Sequence, residues 1–73
     1  MGDELIEVKQ KLLGVLEEAI EQERLSQQRY ALGASLTTDP AVKEMFLQLV
    51  EDEMGHERAL RDRQQSLREG PEA

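Results

Sequence analysis

Apolar residues recur at helical spacing from Asp3 to Leu36, with Leu5, Leu12, Leu16, Ala19, Ile20, Tyr30 and Ala34 falling along one stripe. The pattern predicts one long helix over residues 3 to 36. Gly14 and Gly33 each cost about 1 kcal/mol relative to Ala in a helix interior, but no Pro or cluster of turn residues interrupts the run. The one strong break is Thr37-Thr38-Asp39-Pro40. Asp39 suits an N-cap, and Pro40 suits the first helical position, where its fixed φ is helical and its missing N–H is not needed. A second helix is therefore expected over residues 40 to 69, with a stripe of Val42, Phe46, Leu49, Val50, Glu53, His56, Leu60 and Leu67. Gly70-Pro71 ends it. The chain reads as all-α and as one unit over residues 1–73: an antiparallel hairpin with its turn at 37–39 and a short tail at 70–73.

At 1.5 Å per residue each arm is about 45 to 50 Å long, and two such arms enclose no core. Leu13, Leu25, Leu32, Leu47 and Met54 lie off the main stripes and would be left in water by a lone hairpin. A four-helix bundle of two hairpins is the smallest closed arrangement, so a homodimer is expected at minimum, with a higher ring-like oligomer as an extension. Composition narrows the ways of stabilising it. A 73-residue chain buries little apolar surface, and with no Cys it has neither a disulfide nor a thiolate metal site. Oligomerisation and carboxylate or imidazole metal binding remain. The net charge of −7 argues against nucleic acid and anionic membrane surfaces. No apolar run reaches the roughly 20 residues of a membrane span, and residues 1–6 lack the layout of a signal peptide, so the expected location is the cytoplasm.

Three polar residues sit where apolar ones belong. Glu23 lies on the first stripe, and Glu53 and His56 lie three residues apart on the second, sharing one helix face. Burying such groups is costly unless something pairs with them. In an antiparallel hairpin, residues equidistant from the turn stand at one height. Glu23 and Glu53 are centred on Thr38, so they should face each other, with His56 one turn farther from the loop. One hairpin offers two carboxylates and one imidazole, too few for a pair of iron ions, whereas a two-fold dimer offers four carboxylates and two imidazoles. Di-iron carboxylate bundles use that set, a Glu from each of two helices and Glu-x-x-His from each of the other two. Carboxylate and imidazole suit iron or manganese, and other divalent metals would also bind in vitro. Gln27, one turn from Glu23, and Glu57, beside His56, are candidates to support the ligands on position alone.

Along Ala19-Ile20-Glu21-Gln22-Glu23, the Glu23 to Tyr30 spacing, Thr38-Asp39-Pro40 and Glu51-Asp52-Glu53-Met54-Gly55-His56, the chain resembles the ferritin-like superfamily. It is most similar to the encapsulated ferritins, two-helix half-bundles that dimerise around iron. Rubrerythrins are similar over the same segment but carry both halves of the site in one chain. The resemblance implies that Glu53 bridges two metals, that Glu23 and His56 are terminal ligands, and that Tyr30 sits beside the site. It also implies a ferroxidase using O2 or H2O2 for iron storage or detoxification, with an encapsulin shell as partner and nanocompartment. No recognisable shell-targeting segment follows Gly70. Two other functions compete: a rubrerythrin-like peroxide scavenger, and a non-enzymatic dimerisation module whose inward Glu and His make buried ion pairs. A lone Tyr at helical spacing is more often core than chemistry, and Met45, Phe46 and Met54 are read as packing.

Overall fold

A computed structural model describes residues 2–70, and the expected tail residues 71–73 lie outside that range. Two helices account for nearly all of it, α1 over Gly2–Leu36 and α2 over Pro40–Glu69, packed as an antiparallel hairpin. Asp39 is the N-cap of α2, its carboxylate accepting from the backbone N–H groups of Ala41 at 2.9 Å and Val42 at 3.3 Å, with Pro40 entering the first turn. Thr37 closes the end of α1 by donating its N–H to the Gly33 carbonyl, and its hydroxyl accepts from the Asp39 N–H. At the far end the Lys9 ammonium donates to the Gly70 carbonyl at 2.9 Å, tying the start of α1 to the end of α2. No described helix is long and apolar enough to cross a membrane.

The molecule is a rod, 58 × 14 × 11 Å between Cα atoms. Its accessible surface is 5746 Å² for 8.3 kDa, whereas a compact monomer of that mass exposes roughly 4,600 Å². Among the described residues only Ile20, Ala34, Leu67 and Gln64 are buried. Two helices side by side shield one seam and leave the rest of each helix wet.

That seam is a coiled-coil seam. On α1 it runs Lys9, Leu13, Leu16, Ile20, Glu23, Gln27, Tyr30, Ala34 and Thr37, all at least half-buried and spaced by alternating steps of four and three. Leu13 belongs to it, and Leu5 and Leu12, expected on the inner stripe, stand 70% and 46% exposed on the neighbouring row. The difference arises because a 3.5-residue repeat holds the seam straight, while a 3.6-residue stripe drifts across it over a helix this long. On α2 the seam runs Val42, Phe46, Leu49, Glu53, Glu57, Leu60, Gln64 and Leu67. Two steps of four fall together there, from Leu49 to Glu53 and from Glu53 to Glu57, a local stutter that moves the contact line to the next row of side chains.

The stutter puts His56 on a flank instead of the seam, with its side chain 63% exposed. It also divides the rod into two flanks. One carries Glu23 and His56 together with the row Leu5, Leu12 and Ala19 and the row Val8 and Val15 beyond it. The other carries Gln27, Glu57 and Arg61. Near the turn the helices approach closely at Gly33, where a Cβ would stand 2.8 Å from the Phe46 ring, so the glycine is required by the packing. Nothing within the hairpin approaches Gly55 apart from the end of the Arg58 side chain at 3.9 Å.

Candidate metal centre

Glu23, Glu53 and His56 come together at one point along the rod, each offering a ligand atom, and those atoms all lie within 4.8 Å of one another. Their approach follows from helix geometry. Side chains lean toward the N-terminus of their own helix, so a head on α1 moves away from the turn and a head on α2 moves toward it. Glu23 is thereby brought level with both Glu53 and His56. The His56 Nδ1 lies 2.8 Å from Glu53 Oε1 and 3.6 Å from Glu23 Oε2. Against a carboxylate acceptor the ring nitrogen is the donor of the shorter contact.

The longer contact is no hydrogen bond. Glu23 Oε2 is buried, and no partner among the described residues satisfies it. A buried carboxylate oxygen left in that state is rare enough to need an explanation. Its carboxyl is pushed above the ordinary glutamate range, chiefly by burial and then by the Glu53 carboxyl it faces, with His56 pulling the other way. Glu23 and Glu53 are about four-fifths buried as side chains, and His56 is not. The cluster is closed on the hairpin side and open on its flank.

The donor set fits a divalent cation. Ligand atoms about 2.1 Å from a metal stand roughly 3.0 to 3.4 Å from each other in octahedral or tetrahedral geometry; the His56 contacts of 2.8 and 3.6 Å lie either side of that range, and all three ligand atoms lie within 4.8 Å. Side-chain adjustment alone would close the three groups around an ion. His56 lies on the open flank, on which Leu5, Val8, Leu12 and Val15 stand 46% to 70% exposed in two neighbouring rows.

Tyr30 is placed differently from the other candidate residues. Its ring is half-buried and stacks on Phe46, centroids 6.2 Å apart with the planes at 26°. It stands two helical turns from Glu23 on the turn side, on the same α1 row and leaning back toward it. The structure brings its hydroxyl into no hydrogen bond among the described residues.

On the other flank Gln27 and Glu57 meet. The Gln27 amide donates to Glu57 Oε1 at 2.8 Å and more weakly to the Glu53 carbonyl at 3.5 Å, and the Arg61 Nε donates to Glu57 Oε2 at 2.7 Å. The Gln27 hydrogen bond and then the Arg61 contacts hold the Glu57 carboxyl below the ordinary range. Farther along the same flank the buried Gln64 amide donates to Glu17 at 2.7 Å. Sequence position marked Gln27 and Glu57 singly. The signal for the pair was present: Gln27 follows Glu23 by four, Glu57 follows Glu53 by four, and Arg61 follows Glu57 by four.

Compared with protein-family models, curated proteins and solved structures, the chain finds no match in any of the three.

Proposed function

We propose that the chain is one half of a ferritin-like ferroxidase, closest in design to the encapsulated ferritins, in which two hairpins dimerise into a four-helix bundle around two iron ions. The observation that carries the reading is the unpartnered Glu23 oxygen inside a Glu23, Glu53 and His56 cluster that opens on the flank bearing the exposed apolar row. A second hairpin laid on that flank covers Leu5, Val8, Leu12 and Val15 and brings a second set of three ligands to the same place. Four carboxylates then balance the charge of two Fe(II) ions. Bound side by side, two Fe(II) ions supply one electron each to one O2, which takes up two protons and leaves as H2O2.

The residues have separable tasks. By the resemblance, Glu53, hydrogen-bonded to His56, would be shared between the ions, and Glu23 and His56 would be terminal ligands. The His56 Nδ1 is the nitrogen that faces the cluster. Tyr30, packed on Phe46 two turns toward the loop, is the residue that the resemblance would set beside the site. The half-buried walls limit water near the carboxylates, which strengthens their hold on a cation. A single bundle has no cavity for mineral, so storage needs a separate container, and an encapsulin-type shell is the partner this reading implies.

Anaerobic titration with Fe(II), followed by admission of O2, tests the proposal. One Fe(II) per chain, a doubling of mass on loading and O2 uptake lost in Glu53→Ala are expected. A chain that takes up no Fe(II), or a Glu53→Ala variant that oxidises iron at the unaltered rate, would overturn it.

A further inference from the structure

We propose that Gln27 and Glu57 are positioning residues, a diagonal brace behind the carboxylate pair that sets the axial register of Glu23 against Glu53 and His56. The inference rests on the reading of those three as metal ligands and goes beyond it, because neither brace residue reaches the cluster.

Gln27 stands one turn nearer the loop than Glu23, while Glu57 stands one turn farther from the loop than Glu53. The 2.8 Å bond between them therefore runs obliquely across the seam, on the flank away from the site. An oblique link resists sliding of one helix along the other, the motion that would carry Glu23 from its place beside His56. The same Gln27 amide also reaches the Glu53 carbonyl at 3.5 Å, so α2 is held at the backbone of a ligand. Arg61 fixes the other oxygen of Glu57 at 2.7 Å and leaves that carboxylate one orientation. Glutamine is the suitable partner, since it donates to Glu57 without adding a fourth carboxylate to Glu23, Glu53 and Glu57. The stutter that puts His56 on the open flank also puts Glu57 on the seam, so the brace and the ligand share one backbone feature.

The test uses Co(II) as a spectroscopic probe, read by titration and by its visible absorption, on the full chain. Supporting partners of metal ligands typically contribute 10–100-fold in affinity. Gln27→Leu, which keeps the volume and loses the bond, should weaken Co(II) binding about tenfold or more and alter the absorption bands. Gln27→Glu should weaken it further, by facing Glu57 with a like charge. Combining Gln27→Glu with Glu57→Gln exchanges donor and acceptor, keeps the net charge and leaves an oxygen for Arg61, so affinity and spectrum should return. If Gln27→Leu lowers only thermal stability and leaves the Co(II) bands and affinity unchanged, the brace is structural and the inference fails while the metal reading stands. Failure of the exchanged pair to recover binding also overturns it. An unaltered chain that binds no Co(II) and no Fe(II) removes both.

Discussion

On one flank of the hairpin Gln27, Glu57 and Arg61 satisfy one another's polar groups, and Gln64 does the same with Glu17. The opposite flank keeps a buried Glu23 oxygen with no partner among the described residues, beside an exposed imidazole, and farther along α1 it carries bare Leu and Val side chains. The same two helices build both, and a single stutter in α2 separates them. The contrast marks the side whose polar groups are already satisfied within the hairpin. A polar group already bonded within its own chain offers a partner little, whereas an unpaired carboxylate next to uncovered apolar surface gains from both a cation and a second copy.

Removing a ligand should sharpen the contrast most. Glu53→Ala deletes the group that faces Glu23 and bonds His56, and stopped-flow iron oxidation should slow by more than about a hundredfold, beyond the range of supporting residues, with helix content by circular dichroism retained. A charge placed on the apolar row comes next. Val15→Lys loses burial worth about 1.5–3 kcal/mol per chain, twice over in a symmetric dimer, so sedimentation equilibrium should show association weakened by at least about a hundredfold, shifting the protein toward monomer. Met54→Lys, at a side chain 41% exposed outside that row, should weaken assembly less. An equal response from both variants would erase the distinction between the flanks.

A smaller effect concerns pH. The folded chain holds the Glu23 proton more tightly than the unfolded chain does. The stability this contributes is complete below the ordinary glutamate range and is lost as pH rises through the raised value. Metal-free protein should therefore melt at lower temperature as pH climbs from that range toward neutrality. Glu23→Gln should flatten that part of the profile, and so should a bound divalent cation. The smallest change is expected from Arg61→Ala, which breaks a half-exposed ion pair worth about 0.2–1 kcal/mol and should leave the mass in solution untouched, as urea unfolding and sedimentation would check.

Much of the hairpin was legible because its punctuation is local. Asp39 and Pro40 fix the start of α2 through backbone chemistry that needs no distant partner, and the helix limits agree with expectation to within a residue. The meeting of Glu23, Glu53 and His56 was legible for a related reason, since two polar interruptions equidistant from a known turn must stand near one height. What could not be read was rotational. Whether His56 lies on the seam or on a flank depends on a one-residue change of phase at Glu53 to Glu57, invisible to a stripe drawn at 3.6 residues per turn. The exposure of Leu5 and Leu12 was missed for the same cause. Tyr30 was marked by spacing, but its stacking on Phe46 depends on the close approach that Gly33 permits, a pairwise fit that periodicity does not encode.

The central claim is that this open cluster becomes whole only between two chains. Anomalous diffraction at the iron edge, from crystals grown with Fe(II), tests it most directly. Two adjacent iron peaks related by a two-fold axis between hairpins are expected, each about 2.0 to 2.2 Å from carboxylate oxygens or His56 Nδ1, with ligands from both chains. Iron held by one chain alone, or peaks only at exposed acidic side chains away from His56, would contradict it.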